Sequence, residues 1–177
     1  MAAFHPLTTR TGNIEVDDRK LETAVHEAGH AVVARALGIR AGETTILPST
    51  DQFLGHSDFD DPRFCWRIDD SNREADANNF AIALYAGAEA ERLLLSKNEE
   101  FGDSIDRQIA INCLAWAGSV RGASLVGDKW FDRHEANLRK KAAGLISRHR
   151  ADIERLATAL LERETLSGEE VDALLAG

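Results

Sequence analysis

Apolar residues recur along this chain mostly at three-to-four spacing, the period of a helix packed on one side. Asp17 or Asp18 can cap a first helix running to about Leu37, with Val25, Ala28, Gly29, Val32 and Ala36 as its apolar stripe and Gly38 as its stop. Residues 43–47 (Glu-Thr-Thr-Ile-Leu) and 52–57 (Gln-Phe-Leu-Gly-His-Ser) favour strand instead, joined by a Pro48-Ser-Thr turn. The acidic run Asp58 to Pro62 reads as loop. Ser71-Asn-Arg-Glu74 has the form of a capping box and predicts a helix reaching Leu95. Asp103 or Ser104 caps the next helix, which Gly118 ends. Asp128 opens a long helical region to about Glu164, with Leu145, Ile153, Leu156 and Leu160 on one face. A further capping box, Ser167-Gly-Glu-Glu170, precedes a short terminal helix. Residues 1–16 read as a loose N-terminal arm and 17–177 as one domain. The expected architecture is mostly α, with a small β-sheet after the first helix.

Composition narrows the function classes. With 21 Lys+Arg against 30 Asp+Glu the net charge is −9, which argues against a nucleic-acid groove or a polybasic membrane-surface patch. Apolar residues at 44% suffice for a core, and aromatics at 6% leave the packing to Leu, Ala, Val and Ile. All three prolines fall within the first 62 residues, so long helices are permitted beyond them. No stretch approaches the ~18–20 apolar residues of a membrane span, and the N-terminus lacks the pattern of a secretory signal. Cys65 and Cys113 have no CxxC partner and are too few for a disulfide framework. A soluble, cytoplasmic protein without direct membrane insertion is expected.

One motif carries chemistry. His26-Glu27-Ala28-Gly29-His30 is an HExxH pattern inside the first helix. Positions i and i+4 share a helix face, so both imidazoles can reach one Zn²⁺, and Glu27 stands beside the metal as a general base. Chance produces the pattern in about one chain of this length in a few hundred. Gly29 lets another segment approach the helix. A third ligand is needed, and the metzincin extension is excluded because Val33 and Ala36 stand where Gly and His would be. Glu43 is the nearest downstream Glu but lies in a strand-like segment. His56, Glu91, Asp103, Asp106 and His134 are candidates that spacing alone does not rank.

Four segments, in order, resemble one family. Thr23-Ala-Val-His-Glu-Ala-Gly-His-Ala-Val32 resembles the zinc-site helix of the FtsH-type ATP-dependent zinc metalloproteases. Thr45-Ile-Leu-Pro48 with Leu54-Gly55 resembles its following strand pair, and Ala86-Gly87-Ala88-Glu89-Ala90-Glu91 its small-residue helix ending in Glu. The tail from Leu156 to Val171 is similar to its C-terminal helical segment. The resemblance implies a helical, zincin-like metallopeptidase domain. It also implies Asp106 as third ligand, from Gly102-Asp103-Ser104-Ile105-Asp106, and Glu91 as a residue that orients His26 or His30. His56 stands where the family usually has an aromatic.

The expected function is therefore a zinc-dependent endopeptidase acting on unfolded or extended polypeptides. A strand near Leu54–Ser57 would hold the peptide by edge pairing, which makes Leu54, Gly55 and His56 substrate-binding candidates. No Gly-x-x-x-x-Gly-Lys-Ser/Thr phosphate loop occurs in the sequence, so no ATPase of its own is expected. That leaves room for a homo-oligomer or a separate ATPase partner. The rival reading is a zinc-stabilised, proteolytically inactive binding or adaptor module. An intact Glu27 speaks against it.

Overall fold

The structure, a computed structural model, describes residues 18–48, 55–64, 71–97, 105–118 and 128–176. The expected first helix forms as α1 (Asp18–Ala36), and Gly38 ends it in the left-handed conformation at φ +75°. Burial of α1 is wider than a stripe: Ala24, Val25 and all residues from Glu27 to Ala34 are buried, whereas Ala36 is exposed. The reason lies in its neighbours, since α2 (Arg73–Leu94) packs on one side and α5 (Arg150–Arg163) on another. Small residues set the α1–α2 approach. A Cβ on Gly29 would stand 2.8 Å from both the Ala86 carbonyl oxygen and the Ala90 Cβ.

The sheet is three-stranded and antiparallel, in the order β2-β1-β3. β1 is Ala41–Thr45, β2 is His56–Phe59 and β3 is Thr165–Leu166. The first strand thus starts two residues before the expected 43–47. The second overlaps the expected 52–57 at His56 and Ser57 and runs on to Phe59, into the run read as loop; residues 52–54 lie outside the described residues. Pairing explains the shift: Ser57 is buried with its hydroxyl 3.3 Å from that of Thr44, and Phe59 packs on Phe80. β3 was not expected, because two residues are too few for periodicity. The Ile46 N–H donates to the Glu164 carbonyl at 2.9 Å and prolongs this pairing. Arg35 ties the end of α1 to the Ala41 and Gly168 carbonyls, each at 3.2 Å.

α2 begins at Arg73, and its cap residue Asn72 makes no side-chain cap bond, so the Ser71–Glu74 box does not form. The helix starts one residue later than that box needs, with Asn72 in the cap position, and Asn72 has helical backbone angles (φ −92°, ψ −7°) rather than the extended ones of a capping residue. α3 is Ile105–Trp116, followed by Gly118 at φ +75°; its expected caps Asp103 and Ser104, like the arm 1–16, lie outside the described residues. The expected long helix from Asp128 is two helices, α4 (Lys129–Arg148) and α5, broken at His149. An unbroken helix of that length would extend roughly 50 Å, too far for one part to cover α2 and the other α1. The break also changes the buried face: Ile146 is fully buried and Leu145 only partly. Ile153, Leu156 and Leu160 are buried as expected.

The terminal helix α6 (Gly168–Leu175) has the capping box its sequence announces, with Glu170 N–H on Ser167 Oγ and Ser167 N–H on Glu170 Oε2. Ser167→Ala should lower stability by about 1 kcal/mol, measured by denaturant unfolding. No change in the unfolding midpoint would show that α6 is not part of the cooperative unit.

Candidate metal centre

One helical turn separates His26 from His30 on α1, and their ring centroids are 4.6 Å apart. Each ring is held from behind through Nδ1. The His30 Nδ1–H donates to the Ala83 carbonyl of α2 at 2.8 Å, and the His26 Nδ1–H to Glu91 Oε1 of α2 at 2.5 Å. These bonds assign each neutral ring the tautomer whose Nε2 carries a lone pair. The two Nε2 atoms are 3.0 Å apart. Asp106 Oδ2, from the first turn of α3, lies 3.2 Å from His26 Nε2 and 3.4 Å from His30 Nε2. The ligand atoms all lie within 4.8 Å of one another, so the group could hold a metal ion. Three acceptors this close repel one another unless a cation sits among them.

Gly87 of α2 supplies a second sign of fit. A Cβ there would stand 2.5 Å from His30 Nε2 and 2.6 Å from His26 Nε2. The absent side chain keeps space in front of both nitrogens. The donor set, two imidazoles and one carboxylate, suits zinc.

The electrostatics agree with the geometry. Burial is the largest single influence on His26 and opposes its charge, yet hydrogen bonds to Asp106 and Glu91, with the charges of Glu27 and Asp106, push the pKa up to about 10. Burial likewise opposes ionisation of Asp106 most strongly, but the charges and hydrogen bonds of His30 and His26 hold it below the usual carboxylate range. The cluster attracts a cation, and a metal ion must displace the proton there. Glu27 is only 6% exposed. Burial raises its pKa, and the neighbouring imidazoles of His30 and His26 pull part of that shift back. Its carboxylate lies against Gly55, where a Cβ would come within 2.8 Å of Oε1.

The structure thus brings together His26, His30 and Asp106, with Glu91 behind His26 and Gly55 against Glu27. His56 stands at the start of β2, exposed, with its Nε2 2.5 Å from Asp58 Oδ1. His134 is on α4, bonded to Asn78 and stacked on Trp130, and Glu43 is exposed on β1; neither joins the group. Leu54 and Asp103 lie outside the described residues. Sequence reasoning did not single out Gly87. The only trace of it was its place in the small-residue run Ala86–Ala90.

No family model matches the chain. It is 33% identical over 178 aligned residues to the ATP-dependent zinc metalloprotease FtsH 1 of Symbiobacterium thermophilum, taking in 88% of this chain and 29% of that protein. FtsH 4 of Sorangium cellulosum is 28% identical, covering 91% of this chain and 30% of that protein. FtsH 3 of the same organism is also 28% identical, with 93% of this chain and 30% of its own length matched. The chain therefore spans about three-tenths of the length of the curated relatives it matches. Among the described residues no helix is long and apolar enough to cross a membrane. Over about nine-tenths of its length the chain is thus similar to FtsH-type zinc metalloproteases, and its mostly helical fold with a small sheet is that expected of an FtsH-type peptidase domain.

Proposed function

We propose that the chain is a zinc-dependent endopeptidase that hydrolyses peptide bonds in unfolded or extended polypeptides. The observation that carries this reading is the convergence of His26, His30 and Asp106 beside a buried Glu27 on the same helix. In this reading the three converging residues hold the metal, and Glu91 and the Ala83 carbonyl fix the two rings. When bound, zinc polarises the scissile carbonyl and makes a water nucleophilic at neutral pH. Glu27 takes the proton of the attacking water and delivers it to the leaving amine. Its raised pKa brings it nearer to working pH, which suits both steps.

Substrate would lie along β2. That strand pairs with β1 on one side, and among the described residues nothing pairs with its other edge. An extended peptide can add there, past Gly55 and His56, with Leu54 as a further candidate contact. Only an extended segment pairs this way. The names of the relatives state ATP dependence; energy for unfolding would come from a nucleotide-hydrolysing module outside these residues, which contain no phosphate loop.

Metal analysis and a peptide assay test the proposal together. One Zn²⁺ per chain is expected, with casein cleavage abolished by chelation and restored by zinc. His26→Ala, His30→Ala and Asp106→Ala should each weaken zinc binding by orders of magnitude. Full zinc occupancy in Asp106→Ala, with loss in the histidine variants, would show that the third ligand lies elsewhere.

A further inference from the structure

A network of partly buried ion pairs links α4 to the two helices that carry the carboxylates touching His26. Arg107 follows Asp106 directly and forms a two-pronged pair with Glu135 of α4. Its Nε donates to Oε1 at 2.8 Å and its Nη2 to Oε2 at 2.9 Å. Arg139, one turn further along α4, donates to the same Glu135 at 3.1 Å and lies over the Tyr85 ring, 4.4 Å from its centroid. Its other terminal nitrogen is 3.8 Å from Glu89 of α2, which also takes a 2.8 Å bond from Arg92. Glu89 is two residues from Glu91, so it grips the opposite side of α2 from the one that meets His26. Thus α4 reaches α3 next to Asp106 and α2 next to Glu91.

We propose that Arg107, Glu135 and Arg139 are positioning residues that hold the two carboxylates of the metal group, Asp106 and Glu91, at their distances from His26. This rests on the zinc reading above. A fork between a guanidinium and a carboxylate fixes both distance and orientation, which a single contact does not. Asp106 stands in the first turn of its helix, where backbone bonding restrains the chain least. Arg107 anchors that turn. Partners outside the ligands typically set metal affinity within about 10–100-fold.

The experiment compares wild type with Arg107→Met, Arg107→Lys and Glu135→Gln. Zinc affinity is measured by competition with a chromophoric chelator, the visible spectrum is taken with Co²⁺ in place of zinc, and thermal unfolding is followed without metal. Arg107→Met and Glu135→Gln should bind zinc about 10–100-fold more weakly and change the Co²⁺ bands as the carboxylate ligand loosens. Arg107→Lys, which keeps the charge but not the fork, should recover part of the affinity. Folded fork variants with wild-type affinity and an unchanged Co²⁺ spectrum, differing only in thermal midpoint, would overturn the proposal and leave a purely structural network. Failure of all three to fold would overturn it as well, making the fork a requirement of the fold. If wild type itself binds no zinc, the functional reading fails first and the positioning role falls with it.

Discussion

Glu27→Gln should keep its zinc and its fold while losing about 10²–10⁴-fold in peptide cleavage. The two side chains are nearly the same size, so the buried pocket against Gly55 is still filled. What changes is proton chemistry. An amide cannot accept the proton of the attacking water, and it cannot return one to the leaving amine. The carboxylate is suited to both because burial raises its pKa while His30 and His26 keep the shift in check. Zinc content, the far-ultraviolet circular dichroism spectrum and the rate on an unfolded casein should be measured on one preparation. Near-wild-type turnover in a zinc-loaded variant would sink the mechanism. Equal inactivity of the wild type and the variant, both loaded with zinc, would favour the binding-module reading instead.

Gly87→Ala should cost at least about 100-fold in zinc affinity, the upper end of what changes around metal ligands produce. The added methyl would sit 2.5 Å from His30 Nε2, 2.6 Å from His26 Nε2 and 2.7 Å from His26 Cδ2. Those atoms are side-chain tips, so the fold can survive if the rings turn aside. Turning breaks the Nδ1 bonds to Ala83 and Glu91 and scatters the lone pairs. The control is Gly144→Ala on α4, where a Cβ meets nothing within 4 Å. There the change should stabilise the helix by about 1 kcal/mol and leave zinc binding untouched. Titration with zinc in the presence of a competing chelator, alongside thermal unfolding, separates the two effects. Wild-type affinity in Gly87→Ala would show that the space in front of the imidazoles is not where the ion sits.

How legible these features were depended on how local their causes are. The helix around HExxH, its glycine stop and the capping box at Ser167 follow from neighbouring residues, and they appear in the structure. The break at His149 had no such signal, since neither proline nor glycine marks it. It is imposed by the need to cover two different helices. The Ser71 box failed although its letters were right, because the helix starts at Arg73 and puts Asn72, not Ser71, in the cap position. β2 runs on to Phe59, within the run read as loop, because Phe59 packs on Phe80 across the fold.

By itself the sequence determined that two imidazoles stand on one face of one helix, with a carboxylate beside them, because a four-residue spacing leaves a helix no other choice. Spacing did not decide which distant group would meet them. Asp106 was singled out only through family resemblance, and the structure places it there because α3 packs on α2 with the first turn of α3 at the histidines. The clearance at Gly87, the bond from His26 to Glu91 and the Arg107–Glu135 fork were likewise set by how the helices pack. Such contacts join residues up to 80 positions apart. Helical periodicity encodes direction along one element and says nothing about which element arrives opposite it. That was left to the tertiary structure.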